Sequence, residues 1–199
     1  MSGGTMERKA ILKRKTNETD IIIKFDLDGG GKSNISTPYA FFDHLLSSFT
    51  KHGRFDLDIT AKGDTEVGCH HLVEDVGICL GNVLKTCMDN KKGIQRFGSA
   101  IVPMDDSEVT VSMDLGGRPY LRYNVDMAYE MLEGVETIIF KDFFEALVNN
   151  ALINLHINKN VGLNPHHILE AIFKSFGIAL HNATRISYPG EIPSTKGVL

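Results

Sequence analysis

Short apolar-rich runs at 10–14, Ala10-Ile11-Leu12-Lys13-Arg14, and at 19–27, where Ile21, Ile22 and Ile23 stand together, predict strands. A turn at Asp28-Gly29-Gly30-Gly31-Lys32 closes them. From Pro38 the period changes. Phe41, Phe42, Leu45, Leu46 and Phe49 recur at spacings of three and four, which predicts a helix ending near Gly53. Residues 54–60 alternate as a half-buried strand does, Gly63-Asp64 marks a loop, and the pattern from His70 to Asn90 is helical again. The second half repeats this order: strands over 100–102, 109–115 and 120–125, with Gly116-Gly117-Arg118-Pro119 turning between the last two, then a helix over about 141–151, a strand over 153–157 and a helix from Pro165 to about Thr184.

The recurrence extends to residues. Phe143-Phe144-Glu145 answers Phe41-Phe42-Asp43 at an offset of 102, and Pro165-His166-His167-Ile168-Leu169-Glu170 answers Cys69-His70-His71-Leu72-Val73-Glu74 at an offset of 96. The expected fold is therefore α+β: two half-domains, each a small antiparallel sheet with two helices on one face, related by a pseudo-twofold axis and sharing a helical interface. The expected boundaries are residues 6–93 and 94–190 for the halves and 191–199 for a C-terminal tail. Residues 1–5 are set aside as a terminal extension.

Composition narrows the function. The chain has 199 residues, 42% hydrophobic and 23% charged, and 21 basic against 25 acidic side chains leave a net charge of −4. No overall positive field invites nucleic acid or an anionic membrane. The basic stretch Arg8, Lys9, Lys13, Arg14 and Lys15 reads as a solvated strand end or loop. No apolar run approaches the roughly 18 residues of a membrane span, and no signal-peptide core opens the chain. Cys69, Cys79 and Cys87 cannot all pair with one another and form no CxxC, which suits a reducing, cytoplasmic setting.

Four of the eight histidines fall in two copies of HHxxE, each where a loop enters a helix. One such motif is weak; two at matching points of a repeat point to metal ligands. Residues i and i+4 on a helix lie about 40° apart around its axis, whereas neighbours lie about 100° apart. His70 with Glu74, and His166 with Glu170, can therefore each grip one ion while His71 and His167 turn toward another. His44, near the start of a helix, and His156, on the strand before the second doublet, are candidates to complete the sets; His52 and His181 read as structural. Three imidazoles and a carboxylate leave coordination positions open for substrate and suit manganese, iron, cobalt or zinc. HExxH is absent, Asp75 stands where HxxEH requires histidine, and Gly29-Gly30-Gly31 lacks the spacing of a phosphate loop. Candidate anion contacts are Arg96, Arg118, Lys174 and the tail Ser194-Thr195-Lys196-Gly197.

Nine ordered segments bring these residues together with a known family. They are Arg14-Lys15-Thr16-Asn17-Glu18-Thr19; Phe42-Asp43-His44-Leu45-Leu46 with Lys51-His52-Gly53; Gly63-Asp64; the first doublet through Asp75; Arg96-Phe97-Gly98; Gly117-Arg118-Pro119-Tyr120; Leu155-His156; the second doublet through Lys174; and Pro193-Ser194-Thr195-Lys196-Gly197. Over nearly its whole length the chain resembles the imidazoleglycerol-phosphate dehydratases of histidine biosynthesis. The resemblance implies tandem ferredoxin-like half-domains and two manganese ions per active site. One would be held by His44, His71, His166 and Glu170, the other by His70, Glu74, His156 and His167. It also implies substrate contacts from Glu18, Lys51, Arg96, Arg118, Lys174, Ser194, Thr195 and Lys196, and trimers assembling into a 24-subunit shell with sites between subunits. The chain departs from the family pattern at Val67-Gly68-Cys69, where an acidic residue is usual, and in the tail, where Ser-Thr-Lys replaces Ser-Ser-Lys.

The implied reaction removes water from imidazole glycerol phosphate to give imidazole acetol phosphate. No carbonyl acidifies the hydrogen removed, so the imidazole ring must act as the electron sink, with Glu170 or Glu18 moving protons. The histidine and glutamate inventory alone also fits a dinuclear metal-dependent hydrolase or phosphatase, or a non-catalytic protein assembled by metal.

Overall fold

The computed structural model describes residues 7–64, 66 and 68–199. The first half contains β1 (Lys9–Lys15), β2 (Thr19–Asp26), β3 (Ser33–Ser36), α1 (Ala40–Gly53), β4 (Asp56–Gly63) and α2 (His70–Met88). The second contains β5 (Phe97–Met104), β6 (Ser107–Asp114), β7 (Tyr120–Asn124), the short hairpin β8 (Met131–Leu132) and β9 (Val135–Glu136), α3 (Ile139–Ala151), β10 (Asn154–Val161) and α4 (Pro165–Thr184). The predicted α+β duplication is present: one four-stranded sheet runs β1-β2-β4-β3, the other β5-β6-β10-β7. Among the described residues no helix is long and apolar enough to cross a membrane.

Each sheet is mixed, where purely antiparallel sheets were expected. β3 runs parallel to β4, and β7 parallel to β10. In each half the parallel pair is bridged by a helix, α1 or α3, as a parallel crossover requires. The Ser33–Ser36 strand escapes the hydrophobic pattern because it is a short edge with one partly buried apolar residue, Ile35.

The helices fill the space between the two sheets and pack across the halves: α1 on α4, α2 on α3. Their apolar faces meet in a cluster of aromatic rings. Phe42 of α1 meets Phe143 of α3 at 5.4 Å, Phe143 and Phe144 meet Phe173 of α4 at 5.5 and 5.3 Å, and Phe49 stacks on Phe176 at 5.2 Å. All six are essentially without solvent contact, so each contributes on the order of 1.5–3 kcal/mol of burial. Close helix approach is set by glycine. A Cβ on Gly177 would lie 2.5 Å from the Phe49 carbonyl oxygen and 3.1 Å from Gly53 N, and one on Gly81 would lie 2.5 Å from the Leu147 oxygen and 3.1 Å from Ala151 N.

These contacts correct the register of the repeat. Gly81 and Gly177 are 96 apart, as the doublets are, but their partners Phe49 and Leu147, and Gly53 and Ala151, are 98 apart. The left-handed residues that end α1 and α3, Arg54 and Leu152, share that offset, as do the starts of β4 and β10. Phe41-Phe42-Asp43 therefore corresponds to Ile139-Phe140-Lys141, not to Phe143-Phe144-Glu145, and the counterpart of His44 is Asp142. The Phe-Phe dipeptides matched because both helices need large rings on the same face.

Candidate metal centre and active site

Both doublets open a helix, and each is delivered differently. Asn164 caps α4, its Oδ1 accepting from His166 N at 3.0 Å, and Pro165 occupies the first turn where no donor is needed. At α2 the counterpart of Asn164 is Gly68, and Cys69 provides no side-chain cap. Within each doublet the two rings lie nearly perpendicular, 85° for His70 and His71 and 88° for His166 and His167. The helical spacing thus separates the two histidines as expected.

On the α1–α4 side His44, His166 and Glu170 converge, and donor atoms from all three lie within 4.8 Å of one another. His44 Nε2 is 3.1 Å and His166 Nε2 is 2.9 Å from the same oxygen, Glu170 Oε1. Lys174, one turn on, donates to Oε2 at 2.6 Å. Burial alone would raise the Glu170 carboxyl, but the Lys174 ammonium, with His44 and His166, lowers it to about 2. The Phe41 ring packs 4.8 Å from His166 and limits its rotation. Two imidazole nitrogens and an ionised carboxylate aimed at one point form a donor set suited to a divalent cation.

On the α2–α3 side the same positions hold His70, Glu74 and Asp142. His70 Nε2 is 3.6 Å from Glu74 and its Nδ1 is 3.7 Å from Asp142. Asp142 stands outside the repeated sequence motif because an aspartate replaces the histidine that α1 carries.

His71 and His167 lie outside both groups. His71 Nδ1 is 3.1 and 3.3 Å from the two oxygens of Asp64, which, with Glu18 nearby, raises its pKa. His167 Nδ1 is 2.7 Å from Asp106 Oδ1, while its Nε2 faces Asn164 Nδ2 at 3.3 Å and Asp105 at 3.5 Å. Asp106 is held well below the usual carboxylate range by the Leu163 N–H, His167 and the Asn164 N–H. His156 sits on β10 beside the Tyr120 ring at 5.6 Å. Within one chain, therefore, three of the eight expected ligands close into a group, two more form a pair, and among the described residues no second group of three does so.

The remaining site candidates occupy one rim or the tail. Glu18 lies in the β1–β2 turn, its N–H bonded to Thr16 Oγ1 and its carbonyl accepting from Asp64 N. That turn is braced by Asp75, which accepts from Thr19 Oγ1 and pairs with Arg14; Arg14 is thus a structural cation and not the solvated charge expected. Lys51 and Arg118 are exposed. Arg96 is engaged: it donates twice to Asp114, at 2.7 and 3.0 Å, and once to the Pro193 carbonyl at 2.8 Å, tying the tail to β5. Ser194 Oγ accepts from Lys196 N, and Thr195 and Lys196 are exposed. His52 and His181 have lowered pKa values, chiefly through burial, and take no part in the group. Cys69, Cys79 and Cys87 are free.

Fold and site define a duplicated α+β protein with paired histidine–carboxylate positions at the ends of its inter-half helices. Comparison with known proteins makes this particular. A family model for imidazoleglycerol-phosphate dehydratase matches residues 37–180. Proteins of that name from Methanospirillum hungatei and Acetivibrio thermocellus are 51% and 52% identical to the chain, over 96% and 98% of it and 100% of each of them. The crystal structure of the dehydratase from Staphylococcus aureus superposes with a TM-score of 0.82 at 35% identity, over 90% of this chain and 99% of that one. The chain belongs to the imidazoleglycerol-phosphate dehydratase family.

Proposed function

We propose that this chain catalyses the dehydration of imidazole glycerol phosphate to imidazole acetol phosphate in histidine biosynthesis, with divalent metal. The observation that carries the reading is the convergence of His44, His166 and Glu170 in a chain similar over its full length to proteins of that name. Those three residues, with His71, would hold one ion; His70, Glu74, His156 and His167 would hold the other, and manganese is the proposed metal. A cation at each site supplies positive charge beside an azole nitrogen, which makes the ring an acceptor for the electrons left when a carbon-bound proton is removed. Because His71, His156 and His167 lie outside their groups within one chain, complete sites require neighbouring copies, which supports a homo-oligomer of trimers built into a 24-subunit shell.

The chain's own groups have separable tasks. Glu18 is exposed on a turn braced by Thr16, Thr19 and Asp75, a carboxylate held in place but free to exchange protons with a bound substrate. Glu170 is kept ionised by Lys174 and can share the proton transfers. Lys51, Arg96, Arg118, Lys174, Ser194, Thr195 and Lys196 would bind the phosphate, the tail folding over it from its anchor at Arg96. Purified protein should contain manganese and convert imidazole glycerol phosphate to a ketone without releasing free phosphate. Phosphate release would indicate a hydrolase, and metal-dependent assembly without turnover would indicate a structural protein. E18Q that keeps its metal and full turnover would remove Glu18 from the chemistry.

A further inference from the structure

We propose that Asp64 and Asp106 are positioning residues of the metal centre, each holding the second imidazole of a doublet in the one tautomer that can ligate a cation through Nε2. The inference rests on the reading of His71 and His167 as ligands and adds two residues that the helical motifs do not contain.

An ionised carboxylate can only accept a hydrogen bond. With Asp64 3.1 Å from His71 Nδ1 and Asp106 2.7 Å from His167 Nδ1, both δ nitrogens carry the proton, and the neutral ring presents its lone pair at Nε2. At the opposite edge of His167 the nearer neighbour is Asn164: its Oδ1 is occupied by His166 N, so its Nδ2, at 3.3 Å, faces Nε2 as a donor facing a lone pair, while Asp105 Oδ2 stands farther off at 3.5 Å.

Inheritance through the repeat does not account for the pairing. Asp106 lies in the β5–β6 turn, where β1 and β5 begin 88 residues apart, so its counterpart is Glu18. Glu18 makes no side-chain hydrogen bond to His71 among the described residues. Asp64 immediately follows β4; its counterpart β10 is offset by 98 up to Lys159 and by one more beyond the bulge at Asn160, so the counterpart of Asp64 is Leu163, whose side chain cannot accept a hydrogen bond. Two unrelated positions thus bring a carboxylate to the same nitrogen of equivalent histidines. Both residues are held in place: Asp106 Oδ2 accepts from Leu163 N and Asn164 N at 2.9 and 3.2 Å while Oδ1 accepts from Ser107 Oγ at 3.2 Å and faces the imidazole, and the Asp64 backbone N–H donates to the Glu18 carbonyl at 3.1 Å.

Asparagine at either position can turn its amide N–H toward Nδ1, favouring the tautomer whose Nε2 is protonated. Titration of the purified full-length protein with Mn2+, following free ion by its electron paramagnetic resonance signal, should show affinity reduced about 10–100-fold in D64N and D106N. The visible bands of Co2+-loaded D64N should also change, since a nitrogen ligand is weakened. D64N should melt at the wild-type temperature without metal, because among the described residues its carboxylate hydrogen-bonds only to His71; D106N keeps an amide oxygen for the Leu163 and Asn164 N–H groups and serves as the second case. A D64N isotherm that superposes on wild type, with unchanged Co2+ bands, overturns the proposal. An H71A isotherm equal to wild type removes the ligand reading beneath it, and the proposal falls with that reading.

Discussion

Replacing Gly177 by alanine tests whether the helix crossing fixes the metal group. The added Cβ would lie 2.5 Å from the Phe49 carbonyl oxygen, about 0.9 Å short of the 3.4 Å at which ordinary contact begins, and the obstructing atom is backbone that no rotamer change can clear. α4 must therefore draw back from α1 by most of that distance. A gap of roughly 0.5–1 Å forfeits a quarter to a half of the dispersion energy of the contacts it opens. Overpacking of this kind costs about 2–3 kcal/mol, and the better helix propensity of alanine returns ~1 kcal/mol, leaving a net loss of about 1–2 kcal/mol. In urea, at fixed chain concentration, the midpoint should fall by roughly 0.5–1 M with the slope unchanged. Since His44 is on α1 and His166 and Glu170 are on α4, Mn2+ affinity should fall with it. A G177A protein as stable as wild type, or more so, would refute the account, because only the propensity gain would then be operating. G81A, with its Cβ 2.5 Å from the Leu147 oxygen, should behave alike on the α2–α3 side.

Two further results are expected. In the metal-free protein Glu170 has a folded pKa lowered to about 2 from an ordinary 4.5, so the stability it contributes is present above that ordinary value and is lost as pH falls through the folded one; K174M removes the principal cation, and its acid unfolding, followed by circular dichroism between pH 5 and 2, should begin at higher pH. R96Q releases the Pro193 carbonyl, so amide exchange at 194–199 should quicken and KM should rise far more than kcat falls; an unchanged KM would separate the tail from substrate binding.

Much of this molecule could be read from its residues because two signals were periodic. The apolar spacing identified all four helices, and the duplicated HHxxE identified the residues that open two of them. What escaped was set by tertiary pairing. Ser33–Ser36 is a strand because β4 offers it hydrogen bonds, not because its side chains ask for one. The 102-residue offset was misleading because ring-rich helix faces resemble one another at more than one alignment, and it takes the backbone contacts at Gly81 and Gly177, with the matching helix ends and strand starts, to distinguish 98. Asp106 and Asp142 carried no motif, and Asp64 entered only with Gly63 as a matched segment without a role, since each reaches its histidine from a different element.

The two halves also differ in electric field. The residue one turn beyond Glu170 is Lys174; the residue one turn beyond Glu74 is Ile78, and Asp142 adds a second carboxylate there. Among the basic side chains of the described residues only His70 lies within 4.0 Å of either acid on that side. A cation arriving at α2–α3 meets two negative groups with no ammonium to displace, whereas one arriving at α1–α4 must compete with Lys174. A geometry copied by duplication would then fill in order, the more anionic pocket first, and a binding curve would show two steps instead of one.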